Sequence, residues 1–171
     1  DISSRTSLGL ELGANDYRRV KIITGTGNLG VTANFARDGG YRDDSGFDQQ
    51  KLSLRHSYNG NDIEVESGLT LTNLNQETAG FIEGLNSYRD DSQLRRNLNP
   101  EAYRDVRSAR AWSRVTKSEE NYQLIITPYI RYSQMYFLQH FLPGDPLEEN
   151  GQKSAGVQIG YHRPLSQSLN M

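Results

Sequence analysis

The feature that most constrains the fold is a two-residue period in polarity, which is clearest between Tyr122 and Tyr132. In this stretch, YQLIITPYIRY, every second residue is apolar or aromatic, and the residues between them include Gln123, Thr127 and Arg131. A period of two places alternate side chains on opposite faces of a β-strand. The stretch therefore predicts a strand with one apolar face and one more polar face.

The same alternation recurs along the chain and predicts about eight strands, each ended by Gly, Asn, Asp or Ser residues. Asn59 and Gly60 stand between two alternating runs, which is the strongest short signal for a hairpin. Hydrophobic residues make up only 35% of the chain, so they are spread thinly, as in a sheet with one apolar face. The predicted fold class is all-β, with antiparallel up-and-down strands.

The predicted connections alternate between short turns and long loops. Long loops are expected near residues 37–48, 76–104 and 135–153, and only the first connection, GANDY, is short where a long one is due. Short turns opposite long loops, strands of about 9–11 residues and aromatic residues near both strand ends are typical of transmembrane β-barrels. We therefore expect a transmembrane β-barrel rather than a soluble β-sandwich.

Charged residues of the predicted strands fall on the side opposite the apolar stripe. A charged side chain that faces lipid at the bilayer midplane costs about 2–4 kcal/mol, so this confinement indicates a watery or plugged interior. The residues expected to face the lumen or a plug are Glu64, Glu66, Arg110, Trp112, Arg114 and Arg131.

Other classes of function are disfavoured by the sequence. The formal net charge is -2, which gives no overall basic field for nucleic acid. There is no Cys, and the three His residues are scattered, so we expect no metal site and no cofactor. The GTGNLG segment has the form of a phosphate loop but stands between two predicted strands and is interpreted as a turn. No catalytic constellation is recognisable, and we expect no enzyme activity.

Three passages, DGGYRDDSGFDQQKLSLRHSY, LNQETAGFIEG and NPEAYRD, resemble the N-terminal part of the barrel of a TonB-dependent outer-membrane receptor, as does the spacing of turns and loops around them. Such receptors hold a plug inside a barrel of 22 strands. The resemblance implies that residues 1–171 are a partial barrel that lacks the plug, with about eight of those strands, in the outer membrane of a Gram-negative bacterium.

The resemblance also implies a function and partners. Receptors of this family import scarce ligands, such as ferric siderophores or cobalamin, with energy from the TonB complex. For this chain we expect a ferric siderophore or similar iron complex as the external ligand, the TonB complex as a partner through the plug, and contact with outer-membrane lipid and lipopolysaccharide.

Arg and Tyr residues of the long loops are the candidates for ligand binding, because these side chains hold anionic or aromatic chelates by charge-assisted hydrogen bonds and stacking. Solvation of the loops and contact with lipopolysaccharide explain them equally well. The candidates are Tyr41, Arg42, Tyr88, Arg89, Arg95, Arg96, Tyr103 and Arg104.

Two alternatives remain open from the sequence. The first is a self-contained small outer-membrane barrel with a structural or adhesive role, since eight strands are able to close on themselves. The second is a soluble β-sandwich that serves as a binding module.

Overall fold

The structure is a computed structural model that describes residues 5–164, and these residues form one sheet of eight strands. The strands are β1 (Ser7–Leu12), β2 (Arg18–Gly25), β3 (Leu29–Asp38), β4 (Phe47–Asn59), β5 (Ile63–Glu77), β6 (Tyr103–Glu119), β7 (Tyr122–Leu138) and β8 (Leu147–His162). A short 3-10 helix, Ser87–Arg89, lies between β5 and β6. Within the described residues no helix has the length and apolar character needed to cross a bilayer.

Each strand pairs in antiparallel fashion with the next one along the chain, so the order in the sheet is β1 to β8. The predicted all-β, up-and-down arrangement of about eight strands is therefore confirmed. Strands β1 and β8 do not pair with each other, and in the described part of the chain they are the two edges of an open sheet. There is one sheet here, not the two packed sheets of a sandwich.

The connections lie at the two ends of the sheet as the sequence predicts. Turns 26–28, 60–62 and 120–121 lie at one end, which we call the short-turn end. Loops 39–46, 78–102 and 139–146 lie at the other, the long-loop end, together with turn 13–17. This turn packs against the first long loop, since the Gly39 amide donates to the Asn15 carbonyl at 2.7 Å.

The strands are longer than the polarity pattern predicts. The ladders continue to the pairs Glu77–Tyr103 and Leu138–Leu147, so the second and third loops are shorter than expected. Tyr103 and Arg104, expected in a loop, are instead the first two residues of β6. The physical reason is that many of the residues at these strand ends are polar, so the alternation of polarity stops before the strand does. Their backbone groups still pair with the neighbouring strand.

The register places most of the aliphatic strand residues on one face, which we call the apolar face. The exceptions on the other face include Ile23, Leu74 and Ile125. One row across this face runs from β4 to β8 through Leu54, Leu69, Ala111, Ile130 and Ala155. The intervening residues form the opposite face, which we call the polar face. The predicted segregation of side chains is present for most strand residues, although the charged residues Arg107, Lys117 and Lys153 lie on the apolar face.

The sheet has no hydrophobic core of its own. Among the described residues only Ala102, in a loop, is a buried hydrophobic residue, while Ile159 on the apolar face is 71% exposed. A soluble domain buries the apolar face of a sheet against a second layer of structure. The apolar face is thus left without cover by residues 5–164.

Pro128 interrupts one ladder inside the sheet. Strands β6 and β7 pair at Trp112–Tyr129 and again at Val115–Ile126, but the two positions between these pairs on each strand are unpaired. Proline has no backbone N–H to donate, which explains the gap. The other ladder of β7, to β8, continues through Pro128.

Candidate functional site

The polar face carries the six residues that the sequence places on the interior side of a barrel. The register sets Glu66 opposite Arg114, and Arg110 opposite Arg131, all on one face. The full set is Glu64, Glu66, Arg110, Trp112, Arg114 and Arg131. The structure therefore brings these residues onto a common surface of β5, β6 and β7, which extends from Glu64 near the short-turn end to the middle of the strands.

Arg110 and Arg131 form an unusual pair at the centre of this surface. They are direct neighbours on β6 and β7, and like charges in such cross-strand positions are destabilising. None of the ion pairs formed among residues 5–164 includes either guanidinium. Both side chains are exposed, so their charges face solvent with no acidic group to balance them.

The Arg131 guanidinium is positioned by an aromatic ring. Its Cζ atom lies 5.2 Å from the centroid of the Tyr129 ring, within the range of a cation–π interaction. The Tyr129 ring in turn lies over Gly156 of β8, where a Cβ atom would come within 2.7 Å of the Tyr129 hydroxyl oxygen. Glycine at this position therefore gives the ring the space that it occupies.

A concavity of about 310 Å³ surrounds the arginine pair. Its polar lining includes the hydroxyl groups of three residues and one amide as well as the two guanidinium groups. Ala109 and Tyr132 complete the lining, and the polar residues added to the arginine pair are Thr70, Ser108, Ser133 and Gln152. Sequence reasoning missed these four, although the tight 120–121 turn sets the β6–β7 register that brings Ser108 opposite Ser133.

At the long-loop end, Arg42 joins two loops. Its Nε atom donates to the Arg96 carbonyl at 2.9 Å, Nη2 donates to the same carbonyl, and Nη1 donates to the Gly80 carbonyl. The Asp43 amide also donates to the Arg95 carbonyl at 2.8 Å. The Arg42 guanidinium therefore donates to backbone carbonyls and holds loop 39–46 against loop 78–102.

The other loop candidates separate into groups. Tyr41 and Arg95 lie together, with the Arg95 Cζ atom 5.7 Å from the Tyr41 ring centroid, and both are exposed. Tyr88 and Arg89 contact each other within the 3-10 helix, where the Arg89 Nε atom donates to the Tyr88 hydroxyl at 3.1 Å. The structure thus brings Tyr41, Arg42, Arg95 and Arg96 into one cluster and leaves the other two loop residues in a separate pair.

The two candidates that lie in β6 have their own surroundings. Arg104 is on the polar face and donates from Nη2 to the Gln76 Oε1 atom at 2.7 Å. Tyr103 is on the apolar face, opposite Glu77. Neither residue is among those that join loops 39–46 and 78–102.

Asp90 is the loop acid whose ionisation is most clearly perturbed. Hydrogen bonds hold its pKa below the ordinary value of 3.8, first from the Ser92 hydroxyl at 2.6 Å and then from the Gln93 amide at 2.9 Å. These bonds stabilise the charged carboxylate. In the part of the chain that the structure describes, no group of three or more His, Asp or Glu residues is arranged to hold a metal ion.

Neither a protein-family model nor a curated protein nor a solved structure matches this chain.

Proposed function

We propose that this chain is part of the β-barrel of an outer-membrane transport receptor, with its apolar face toward lipid and its polar face toward the barrel interior. The observation that supports this most strongly is an uncovered apolar face on a sheet with no hydrophobic core among residues 5–164. An apolar face of this extent needs cover, and lipid is a solvent that would cover all eight strands at once.

The height of the apolar band agrees with a bilayer. On the apolar face of β6, Arg107 and Lys117 bracket Ala109, Ala111 and Val115. The two charged residues are ten positions apart, which at about 3.3 Å per residue and a tilt of about 45° gives a rise of about 23 Å. The outward apolar band of outer-membrane barrels is about 25 Å tall.

Two hydroxyl pairs on the apolar face are internally satisfied: Thr6 with Thr24, whose Oγ1 atoms lie 2.8 Å apart, and Ser67 with Ser113. The Oγ atoms of Ser67 and Ser113, which are neighbours on the apolar face of β5 and β6, lie 2.9 Å apart. A hydroxyl group in lipid has no water to bond, so a mutual hydrogen bond removes most of the cost of placing it there.

Aromatic residues stand at both borders of the band. At the short-turn end, Tyr122 and Tyr161 are stacked with ring centroids 5.9 Å apart. At the long-loop end, Tyr132 and Tyr136 lie on the apolar face of β7 and both hydrogen-bond to Gln134. Aromatic side chains at two levels suit the two membrane–water interfaces.

The transport role follows from the resemblance to TonB-dependent receptors. In this proposal the eight strands belong to a barrel of 22, and the exposed edges of β1 and β8 accept neighbouring strands. The ligand is a ferric siderophore or similar iron complex, bound at the long-loop end by residues such as Tyr41 and Arg95, and import is powered by the TonB complex through a plug. The location is the outer membrane of a Gram-negative bacterium.

A self-contained small barrel is the second candidate, because eight strands are enough to close one. Closure would require β1 to pair with β8. In residues 5–164 these two strands are instead the separate edges of an open sheet, and this openness favours the larger barrel.

The orientation of the two faces is testable by tryptophan fluorescence, because Trp112 is the only tryptophan. Wild-type chain would be compared with a Trp112→Phe/Val157→Trp variant, which moves the indole to the apolar face at nearly the same depth in the sheet. Both would be folded into phosphatidylcholine vesicles with brominated acyl chains. We expect strong quenching of the variant and weak quenching of Trp112, whereas equal quenching would contradict the orientation.

The ligand class needs a separate measurement. Ferric catecholate and ferric hydroxamate chelates would be titrated onto the detergent-folded full chain, and Tyr41→Ala and Arg95→Ala are expected to weaken binding. Arg18→Ala, which removes a charge paired with Asp16 at the same end of the sheet, is the matched control. Absence of saturable binding would reject an iron complex as the ligand without affecting the orientation result.

A further inference from the structure

We propose that the concavity between β6 and β7 on the polar face is an anion-binding site, with Arg110 and Arg131 as its two principal ligands for a carboxylate or phosphate group. The two residues are direct cross-strand neighbours in the middle of the sheet. This site does not depend on what covers the apolar face, so it stands apart from the proposed membrane function.

The charge of the pair is locally unbalanced. Side chains in such positions have Cβ atoms about 5 Å apart, and two guanidinium groups at this spacing repel each other. On β5, the nearest acid of the polar face is Glu66. Its cross-strand neighbour in the register is Arg114, which is four residues along β6 from Arg110. Four residues correspond to about 13 Å along a strand. A bound anion would supply the missing charge.

Neutral hydrogen-bond donors complete the lining. Besides Ala109 and Tyr132, the concavity is lined by Thr70, Ser108 and Ser133, which carry hydroxyl groups, and by Gln152, which carries an amide. Within residues 5–164 none of these four side chains hydrogen-bonds to another group, so their donors are free for a ligand. An anion with several oxygen atoms would use the guanidinium and hydroxyl donors together.

The site is organised before any ligand binds. Contact with the Tyr129 ring restricts where the Arg131 guanidinium lies, and Gly156 provides the space that the Tyr129 ring occupies. A guanidinium that is already positioned loses less conformational entropy on binding than a free side chain. The concavity of about 310 Å³ is large enough for a small polyanion, since a water molecule takes about 30 Å³.

The residue types define the ligand chemistry. Arginine presents a planar fork of donors that matches the two oxygens of a carboxylate or phosphate. Lys51 and Arg55 add positive charge to the polar face of β4 and would attract the same ligands. Two sources of this group fit the site: a free small anion, or an acidic side chain of a polypeptide segment that lies against the polar face.

Trp112 is a built-in reporter for the test, because it lies on the same face, two residues from Arg110. The full chain, folded in a neutral maltoside detergent, would be titrated with malonate, inorganic phosphate and a short glutamate-containing peptide at constant ionic strength. We expect a saturable change in Trp112 fluorescence. Response to malonate or phosphate would indicate a free anion, and response to the peptide alone would indicate a polypeptide carboxylate.

Variants locate the site. Arg110→Gln and Arg131→Gln should each weaken binding about ten- to hundredfold, as expected for the loss of a charge-assisted interaction. Arg131→Lys keeps the charge, guards against a folding defect and should weaken binding less. Arg114→Gln is the matched control, because Arg114 lies on the same strand and face and is also two residues from Trp112.

Two results would overturn the proposal. One is the absence of a saturable response to all three probes by wild-type chain that shows native circular dichroism. The other is an equal loss of affinity in Arg114→Gln and Arg110→Gln, which would mean that anions respond to the diffuse charge of the face and not to a located site.

Discussion

The Trp112 ring lies against the backbone of Gly68, its direct neighbour on β5, so closely that a Cβ atom at residue 68 would come within 2.6 Å of Trp112 Nε1. Tyr129 has the same relationship to Gly156 on β8. The two aromatic residues are themselves cross-strand neighbours, and each covers a glycine on its outer side. This arrangement fixes the aromatic centre of the polar face, next to the arginine pair.

Gly68→Ala should therefore displace the Trp112 ring and destabilise the sheet. A methyl group has no space there, and overpacking of this kind costs about 1–3 kcal/mol. We expect a shift in Trp112 emission and a lower free energy of unfolding in detergent. Gly9→Ala is the control, since a Cβ atom at this polar-face glycine of β1 would meet its nearest neighbour, Lys21 Cβ, at 3.8 Å. Equal effects of the two variants would contradict the packing assigned to Trp112.

The strands and their faces are predictable from the sequence because a period of two is a local property. Leu69 and Leu71 alternate with Thr70 and Thr72, and no information from distant residues is needed to place them on opposite faces. The loop ends are less predictable. Arg104 falls in the predicted loop because it belongs to a polar segment, yet its backbone extends the β6 ladder.

The candidate sites depend on contacts that a period does not encode. Arg42 reaches the carbonyls of Gly80 and Arg96, which are 38 and 54 residues away in sequence. The arginine pair depends on the register between β6 and β7, because a shift of one residue would move one of the two side chains to the other face. The alternation of polarity identifies the two arginines as candidates, but only the register makes them neighbours.

Arg42→Ala should loosen the two loops that it joins. The substitution leaves the Gly80 and Arg96 carbonyls without their charged donor, and hydrogen bonds to charged groups contribute about 1.5–3 kcal/mol. Chymotrypsin cleavage after Phe81, Tyr88 and Leu98 in loop 78–102 would measure the effect, and we expect cleavage about tenfold faster or more. Arg89→Ala removes a guanidinium that contacts Tyr88 of the same loop, and it should leave the rate nearly unchanged.

The lowered pKa of Asp90 predicts that the local stability of loop 78–102 depends on pH. Hydrogen bonds from Ser92 and Gln93 depress the pKa of Asp90 in the folded state. The stabilising contribution of the charged carboxylate to the loop is therefore present above the ordinary pKa of 3.8 and is lost as the pH falls through the folded-state pKa. A lower protection factor of the Ser92 amide, taken relative to its intrinsic exchange rate at each pH, is the expected result as the pH falls below 3.8. Asp90→Asn should remove this pH dependence, and a wild-type exchange profile in that variant would assign the effect to other groups.

Val157 and Gln158 test the orientation of the sheet at a single depth. They are adjacent on β8, both are exposed, and they lie on the apolar and polar faces respectively. In lipid vesicles, Val157→Arg should lower the free energy of unfolding by about 2–4 kcal/mol, the cost of a charge that faces lipid near the midplane, and Gln158→Arg should change it little. Denaturant titration of both variants measures the difference. Equal costs in vesicles would mean that the apolar face does not meet lipid, and the face would then need a protein layer to cover it.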